Sequence, residues 1–433
     1  MKERYMTMQG NKQVRRLGIR ADCPPDCTSD EQLKMYQRAN FNILTMTEDF
    51  VRARSKAYLD CLRNCEKLGL DVYLRGYGQY FGEYFEKFFT GVDFNDYPAV
   101  KGFFFLDEPA GCDIPRIANA AVDWFNDSYA ETGMDFYLNS YCGEVPGHLC
   151  MPSDDFHEYL MREIYDKLNT KNKILTLDEY PLRRGIDGKK YLDEREWIPY
   201  TAQVARICRD HGVKFGGYLQ TFGGDYVDAR IPDTIEEIRF MAYVYLAFGA
   251  QHIGYFVYLG NRDIGFMGLV NDAGKPSKLY YHARALNEEL LSFDIEYLSY
   301  DWKGALVIDG ASNETPNEAF AKTREFLPYA DKELTAVTAE NNLIVGCFEK
   351  GKNEHSYIVV SYGEPTVKQD NKMTFTFKSA KKLEILRNGR QVTTETKMEK
   401  VNGLKPREIV EVKDGKAEIE LKYGEALFIK TVS

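Results

Sequence analysis

The sequence predicts an α/β protein: a (β/α)8 barrel over residues 1–298, followed by an antiparallel β-sandwich over residues 299–433. From about residue 15 to residue 295, short apolar runs alternate with longer amphipathic runs, and the alternation recurs eight times. Strands that alternate with helices pair in parallel through right-handed crossovers, and eight such units over roughly 280 residues match a barrel of this kind. Beyond residue 298 the pattern changes to short β-rich runs alone.

The eight apolar runs are the predicted barrel strands, because each has the length of a single strand. In chain order they cover residues 15–22, 41–47, 71–78, 101–108, 135–142, 173–180, 214–222 and 252–259. The stretches between them repeat apolar residues at the 3.6-residue period of an amphipathic helix. Several of these stretches open with residues that commonly cap helices: Ser29 or Asp30, Asp49 and Ser153.

The C-terminal runs are separated by Gly, Asn, Asp and Lys turns, and the steps Arg-Asn-Gly-Arg at 387–390 and Lys-Asp-Gly-Lys at 413–416 are strong tight-turn signals. This texture predicts an antiparallel sandwich. No low-complexity linker precedes it, so we expect the sandwich to dock tightly on the barrel.

Charge and composition limit the partners of the chain. The net charge is −10, and acids and bases are interspersed without a basic run, which argues against a nucleic-acid partner. No stretch approaches the roughly 18 apolar residues that span a membrane, and the N-terminal residues lack the apolar core of a signal peptide. The nine scattered cysteines suit reduced thiols. We therefore expect a cytoplasmic protein with a small-molecule partner and no membrane partner, and leave a homo-oligomer open.

Polar side chains follow the predicted strands at their C-terminal ends, where the active sites of such barrels lie. The fourth and sixth strands both end in Leu-Asp-Glu, which supplies Asp107, Glu108, Asp178 and Glu179. The neighbouring strand ends supply further hydrogen-bonding groups: Asp22, Arg75, Tyr77, Asn139, Tyr141, Tyr180, Gln220 and Tyr258. We predict that these side chains form one site, in which Asp107, Glu108 and Asp178 are catalytic and the others bind substrate.

Two details fix how the acids are expected to point. Thr176 and Asp178 lie on one face of the sixth strand, so if its polar face lines the lumen, Asp178 points inward and Glu179 starts toward the helices. Pro109 restricts the residue before it to an extended conformation, so we expect Glu108 to continue the strand to the rim.

Two facing carboxyl groups among neutral hydrogen-bonding partners suit the cleavage of a glycosidic bond. One carboxyl donates a proton to the leaving oxygen, and the other attacks the anomeric carbon or activates water. Schiff-base chemistry fits poorly, because Lys101, Lys173 and Lys214 lie at strand beginnings, and His252 likewise begins the eighth strand. We predict no cofactor and no His-rich metal site, although four acids leave Mg²⁺ or Ca²⁺ open.

Four stretches resemble barrel glycoside hydrolases related to family 42 β-galactosidases and the wider clan A. They are GFFFLDEPAG (102–111), LTLDEYPL (175–182), YVYLAFGAQHIGYFVYLGN (243–261) and LVNDAGKPSKLYYHARALNEEL (269–290). In those proteins an Asn-Glu-Pro or Asp-Glu-Pro at the end of strand four carries the general acid/base, so the resemblance implies that role for Glu108. Those enzymes place a nucleophilic Glu at the end of strand seven, where this sequence has Gln220.

The sixth strand offers a replacement for the missing strand-seven acid. Barrel glycosidases of the α-galactosidase clan draw their two carboxylates from strands four and six. We therefore predict Asp178 as the second carboxylate, nucleophile or base, with Glu179 as the alternate. Asp107 would orient substrate or tune Glu108.

The predicted function is hydrolysis of a small glycoside or oligosaccharide, with exo action favoured. Aromatic-rich loops look long enough to wall the barrel mouth into a pocket: Tyr80, Phe81, Tyr84, His148 and Trp197. Two alternatives stay open. One is a catalytically altered sugar-binding barrel, which the missing strand-seven Glu supports; the other is a barrel lyase, isomerase or metal-assisted enzyme.

Overall fold

A computed structural model gives the fold, and it describes residues 16–22, 30–48, 56–76, 92–112, 114–141, 151, 153–223, 228–260, 267–388 and 407–432. In these ranges eight parallel strands form a nearly closed barrel, and two antiparallel sheets follow it. Both parts of the predicted fold class are confirmed. Nowhere in these ranges does a helix combine the length and apolarity needed to cross a membrane.

The barrel strands lie where the alternation predicts them. They are β1 Gly18–Ala21, β2 Ile43–Glu48, β3 Asp71–Gly76, β4 Val100–Asp107, β5 Asp135–Tyr141, β6 Lys173–Asp178, β9 Lys214–Gln220 and β10 His252–Phe256. Pairing runs from β2 through β3, β4, β5, β6, β9 and β10 to β1. A small hairpin, β7 Leu182–Arg184 and β8 Lys190–Leu192, is inserted after β6.

Asn42 closes the barrel between β1 and β2. Its side-chain oxygen accepts a hydrogen bond from the Ile19 amide at 2.7 Å, and its side-chain nitrogen donates to the Leu17 carbonyl at 2.8 Å. The backbone amide of Asn42 adds a third bond, to the Ile19 carbonyl, at 3.0 Å. One asparagine thus satisfies backbone groups that the ends of the sheet would leave open.

Helices cover the barrel after each strand except β3, whose following residues 77–91 lie outside the described ranges. They are α1 Asp30–Arg38, α2 Lys56–Leu68, α3 Ile114–Ser128, α4 Ser153–Glu163, α5 Trp197–Asp210, α6 Ile235–Ala247 and α7 Lys278–Leu291, with the short α8 Asp294–Tyr297 after them. Thr234 and Glu237 form a capping box that fixes the start of α6.

The lumen is packed with side chains of one strand phase, as expected of a barrel of this size. An apolar cluster fills it: Ile43, Tyr73, Phe104, Tyr137 and Ile174. Two glycines give large side chains room. A Cβ at Gly254 would lie 2.6 Å from the Tyr218 ring, and a Cβ at Gly216 would lie 2.8 Å from the Cβ of His252. Packing in the lumen therefore sets where polar side chains can stand.

The C-terminal region is a two-sheet sandwich. Its elements are β11 Asp301–Ile308, α9 Glu318–Phe326, β12 Leu334–Ala339, β13 Leu343–Lys350, β14 Glu354–Ser361, β15 Asn371–Phe377, β16 Lys382–Arg387, β17 Glu408–Glu411, β18 Lys416–Leu421 and β19 Ala426–Val432. A six-stranded sheet, β11-β13-β14-β19-β16-β17, faces a three-stranded one, β12-β15-β18. Apolar residues of both sheets form the core between them. The domain boundary after residue 298 stays a prediction, with β11 beginning at Asp301.

Helix α6 is the surface on which the sandwich docks. Residues of α6 and of β13, β14 and β19 share one apolar core, and a Cβ at Gly346 would lie 2.6 Å from the Cα of Ala247. Arg230, which is buried, pairs with Glu237 at the start of α6 and with Glu364 at 2.7 Å. The sandwich therefore contacts the barrel through packed backbone and buried charge.

Replacing Asn42 with Ala should lower the free energy of unfolding by about 2 kcal/mol, because two hydrogen bonds are lost and a backbone amide loses its partner. Urea denaturation measures this change. Asn64 is the matched control, since its side chain bonds Asp30 in an exposed position on α2. Equal losses in Asn42→Ala and Asn64→Ala would contradict a closing role for Asn42.

Candidate active site

A β-bulge in β4 turns Asp107 into the lumen. The pairing of β4 with β5 slips between Phe104 and Leu106. Phe104 lies in the lumen, with its ring centroid 4.2 Å from that of Tyr137, whereas Phe105 stacks on Phe136 in the helix layer. In a regular strand Asp107 would share the outward phase of Phe105. The extra residue reverses the phase, as bulges beside active sites commonly do.

Glu108 stands just past the end of β4 in a left-handed backbone conformation, with φ of 47°. The expectation that Pro109 holds it extended was wrong. Its amide donates to the carbonyl of Asn139 at 3.0 Å, and this bond anchors the turn. A residue other than glycine at positive φ, directly before a proline, is sterically disfavoured, and such strain clusters at functional sites. The turn therefore sets the direction of the Glu108 side chain.

Arg75 joins two of the predicted acids across the mouth. Its Nη2 donates to Oδ2 of Asp107 at 2.6 Å, and its Nη1 lies 3.6 Å from Oδ2 of Asp22. Asp22 is buried, and the other oxygen of Asp107 accepts from Nδ2 of Asn139 at 3.0 Å. Four residues that the sequence predicted as one site are therefore in direct contact.

A deeper chain of hydroxyl groups completes this network. Thr176 donates to Oδ1 of Asn139 at 2.8 Å, and its oxygen lies 2.7 Å from the hydroxyl of Tyr137. That hydroxyl is 3.1 Å from the hydroxyl of Tyr218, which donates to Oδ2 of Asp22 at 2.7 Å. These hydrogen bonds, together with the ion pair of Arg75 with Asp22, make a closed ring of polar contacts across the lumen: Asp22, Arg75, Asp107, Asn139, Thr176, Tyr137 and Tyr218.

Asp178 and Glu108 form a hydrogen-bonded carboxyl pair at the mouth. Asp178 lies inward with Thr176, as its strand phase predicts. Burial raises the pKa of Asp178 well above its usual range, and the charge of Glu108 and a hydrogen bond with Glu108 raise it further. Its Oδ1 is buried without a hydrogen-bond partner. The pair is arranged to hold one proton at pH values where isolated carboxyl groups have lost theirs.

Tyr180 supplies an aromatic wall beside the acids. Its ring packs edge-on against Phe222, with centroids 4.8 Å apart, and lies 5.6 Å from Phe256. Burial raises the pKa of Tyr180, and the neighbouring Asp178 and Glu108 raise it further, so the phenol remains a hydrogen-bond donor. Glu179 and Tyr141, both half-buried, follow β6 and end β5 at the same mouth.

The side chain of Gln220 makes structural hydrogen bonds to the backbone. Its Oε1 accepts from the Leu182 amide at 2.9 Å, and its Nε2 donates to the carbonyls of Leu182 and Arg230, both at 2.8 Å. The amide therefore ties the end of β9 to the β7 hairpin. These contacts give no support to the predicted contact of Gln220 with substrate.

Two other predicted positions differ from expectation, and several cannot be compared. Tyr258 is buried against Tyr36 of α1, with centroids 5.1 Å apart, so its ring belongs to the helix layer. Trp197 was expected to wall the mouth but is buried in α5, where it donates to the Tyr245 hydroxyl at 3.2 Å. Outside the described residues lie Tyr77, Tyr80, Phe81, Tyr84 and His148.

Sequence reasoning missed Tyr137 and Tyr218 as site residues. Each lies two positions before a residue that was predicted, Asn139 and Gln220, and therefore on the same inward phase. That spacing was the available signal. No group of three or more His, Cys, Asp or Glu among the residues with assigned positions is arranged to hold a metal ion.

A large cavity lies at the opposite end of the barrel, between the strand beginnings and the sandwich. Its volume is about 1510 Å³, and Asp71, Lys101 and His252 line it together with Trp302. Burial raises the pKa of Asp71 to about 6. The lining includes none of the predicted site residues.

The fold and mouth geometry can be compared with known proteins. No protein-family profile matches the sequence, and no curated protein matches it either. A catalytic mutant of a family 42 β-galactosidase from G. stearothermophilus has a similar structure, with a TM-score of 0.58 at 8% identity over 96% of this chain and 98% of that chain. The likeness is one of fold.

Two further structures show lower similarity. A family 30 endoxylanase from Clostridium papyrosolvens C71 gives a TM-score of 0.46 at 11% identity, over 98% of this chain and 97% of that one. A family 51 arabinofuranosidase from Xanthomonas axonopodis pv. citri gives 0.45 at 7% identity, over 93% and 89%.

Asp178→Asn should stabilise the protein increasingly as pH rises. Because the folded-state pKa is raised, the wild-type carboxyl contributes its full stability below the unfolded pKa of about 4 and loses it as pH rises through the folded value. Urea denaturation between pH 4 and pH 8 gives the difference between variant and wild type. Asp187→Asn, at an exposed loop position, is the control. A difference that falls with pH would contradict the raised pKa.

Gln220→Glu should lower the free energy of unfolding by about 3 kcal/mol, because a buried carboxylate would face two carbonyl oxygens in place of an amide donor. Chemical denaturation at pH 8 measures the loss. Gln369→Glu makes the same change at an exposed position. If Gln220→Glu is as stable as wild type, the amide does not hold the hairpin.

Proposed function

We propose that this protein is a glycoside hydrolase in which Glu108 and Asp178 are the two catalytic carboxyl groups. The observation that carries the proposal is the hydrogen-bonded pair of these side chains at the C-terminal mouth of the barrel. Paired carboxyl groups whose proton affinities differ are the requirement for acid-assisted glycosidic cleavage. The mouth is also where barrels of this kind carry their chemistry.

The proton of the pair defines the roles. In the free protein, burial favours the proton on Asp178. Transfer along the hydrogen bond makes Glu108 the acid that donates to the leaving oxygen, and leaves Asp178 as the carboxylate that attacks the anomeric carbon or activates water. Arg75 and Asn139 hold Asp107 beside them, where it orients substrate hydroxyl groups. These assignments follow the strand-four and strand-six prediction.

Substrate must separate the two carboxyl groups. In retaining enzymes they stand about 5 Å apart, and in inverting enzymes roughly 6.5–9.5 Å apart, whereas hydrogen-bonded carboxyl groups are closer than either. The strand ends allow the change, because β5 lies between β4 and β6, so their backbones are two strand spacings, about 10 Å, apart. Rotation of the side chains around a bound sugar supplies the separation.

The substrate we propose is a small glycoside or oligosaccharide processed from its end. Acids outnumber the cations of the mouth, which favours neutral sugars over acidic ones. Tyr180 offers an aromatic face with a hydroxyl, a combination suited to a sugar ring. The protein would act without a cofactor.

A sugar-binding barrel without hydrolysis is the second candidate. One observation favours it: Gln220 stands where the barrel glycoside hydrolases that the sequence resembles carry a glutamate. In that case the ring of hydrogen-bonding groups would bind the sugar, and the proton shared by Glu108 and Asp178 would not be donated to a leaving group.

Hydrolysis of a panel of aryl α- and β-glycosides tests the proposal. Wild type should cleave at least one member, and Glu108→Gln and Asp178→Asn should each lower kcat/KM by about 1,000-fold, because each removes a group that transfers a proton or attacks. Glu163→Gln is the matched control, since Glu163 pairs with Lys167 on the surface of α4.

The remaining outcomes separate the candidates. Binding of sugars by calorimetry, with no cleavage of the panel and no effect of either substitution, would favour the sugar-binding barrel. Cleavage that survives both substitutions would overturn the assignment of the pair. Loss of activity on treatment with a chelator would favour a metal-assisted enzyme.

A further inference from the structure

Arg20 is a buried cation that the proposed reaction does not use. It lies on β1 with its side chain inward, and it is 1% exposed. Its guanidinium carbon is 4.1 Å from the ring centroid of Tyr137 and 4.8 Å from that of Tyr218. Nη2 donates to the Tyr218 hydroxyl at 2.6 Å, whereas Nε and Nη1 are buried without hydrogen-bond partners.

This arrangement is costly for a side chain that is charged at every accessible pH. Burial of a cation is normally offset by a directly paired carboxylate. Aromatic faces offset part of the cost through cation–π contacts. Among the described residues, no carboxylate lies within ion-pair distance of Arg20, so its charge must be compensated by groups at longer range.

The nearest acid lies one hydroxyl group away. Tyr218 accepts from Arg20 and donates to Oδ2 of Asp22, so the phenol connects cation and anion. Asp22 is 4% exposed, and its Oδ1 is buried without a partner. Its other cation, Arg75, is 3.6 Å away and bonds Asp107 more closely, at 2.6 Å.

The charges of the ring balance only when Arg20 is included. Asp22 and Asp107 are two acids, and Arg75 is one cation between them. Arg20 is the second cation. The charged and titratable groups around it are Asp22 just past β1, Tyr36 on α1, Tyr73 and Arg75 on β3, Asp107 on β4, Tyr137 on β5 and Tyr218 on β9.

We propose that Arg20 is a positioning residue of the barrel mouth: its buried charge balances the carboxyl groups of Asp22 and Asp107 around Arg75, and so holds Asp107 in a fixed direction beside the Glu108–Asp178 pair. The inference rests on the proposed function for its catalytic meaning. The part of the inference that concerns charge balance involves only the ring and does not depend on the proposed function. Without Arg20, the ring would hold two acids and one cation, and the side chain of Asp107 would lose its fixed direction.

Charge compensation gives a test that does not need a substrate. Arg20→Gln leaves two ring acids with one cation, whereas Arg20→Gln combined with Asp22→Asn restores the balance. We expect Arg20→Gln to lower Tm at pH 7, and the double variant to recover several degrees relative to Arg20→Gln. A purely steric role for Arg20 would make the second substitution add to the damage.

Two further variants complete the design. Arg20→Lys keeps the charge and should lie closer to wild type in Tm than Arg20→Gln does. Asp22→Asn alone leaves an excess cation and should be less stable than wild type. If Arg20→Gln does not fold, folding of the double variant supports the proposal and its failure to fold overturns it; a double variant no more stable than Arg20→Gln also overturns it.

Activity separates this inference from the proposed function. If glycosides are cleaved, the acid limb of the kcat/KM profile should move toward higher pH in Arg20→Gln and return in Arg20→Lys. If the acid limb of the pH profile does not move in Arg20→Gln, the inferred role of Arg20 in catalysis is overturned. Rescue of stability without any hydrolysis would leave the charge balance standing and remove the proposed function.

Discussion

The bridge that Arg75 makes between Asp22 and Asp107 is the interaction on which the mouth depends. Its guanidinium is held from β3 and joins acids of β1 and β4, so three strands that are not all neighbours in the sheet are fixed relative to one another. A planar fork that contacts two carboxylates at once does this with defined direction, which a lysine would not. The hydrogen bonds among Thr176, Tyr137 and Tyr218 are connected to this bridge at both ends, through Asn139 and through the bond from Tyr218 to Asp22.

The bridge also divides the acids into two kinds. Asp22 and Asp107 are held by cations and amides. Glu108 and Asp178 contact one another. The low dielectric constant of the barrel interior matters for both kinds of acid. It increases the attraction within an ion pair and the free-energy cost of an uncompensated charge. The acids that Arg75 bridges are therefore distinct from the two that share a hydrogen bond.

Much of the architecture follows from sequence patterning. The alternation of apolar and amphipathic runs placed all eight barrel strands, because both periods record burial directly. The strand phase of Thr176 and Asp178 likewise placed Asp178 in the lumen. These predictions succeeded for one reason: the hydrophobic period of a strand or helix can be recognised from neighbouring residues in the sequence alone. The acids at the ends of β4 and β6 were found for the same reason.

The misses need tertiary information. The bulge in β4 depends on how that strand pairs with β5, and the positive φ of Glu108 is maintained by a bond to Asn139, 31 positions later by residue number. Local rules gave an extended Glu108 because Pro109 is the only neighbour they consider. The strand-end position predicted Gln220 as a substrate-binding amide, but its side chain hydrogen-bonds the inserted hairpin. Trp197 was expected in the wall of the mouth, but it lies on the buried face of α5.

Strand spacing explains how acids of β4 and β6 can contact one another. Asn139 on β5 sits between the two acid-bearing strands; it accepts the Glu108 amide, bonds Asp107, and lowers the pKa of Asp178 against the rise caused by burial. One strand thus serves as a spacer of fixed width and as a common hydrogen-bonding partner. Carboxyl groups on either side of such a spacer can contact one another at the mouth. Gln220 on β9 instead anchors the hairpin.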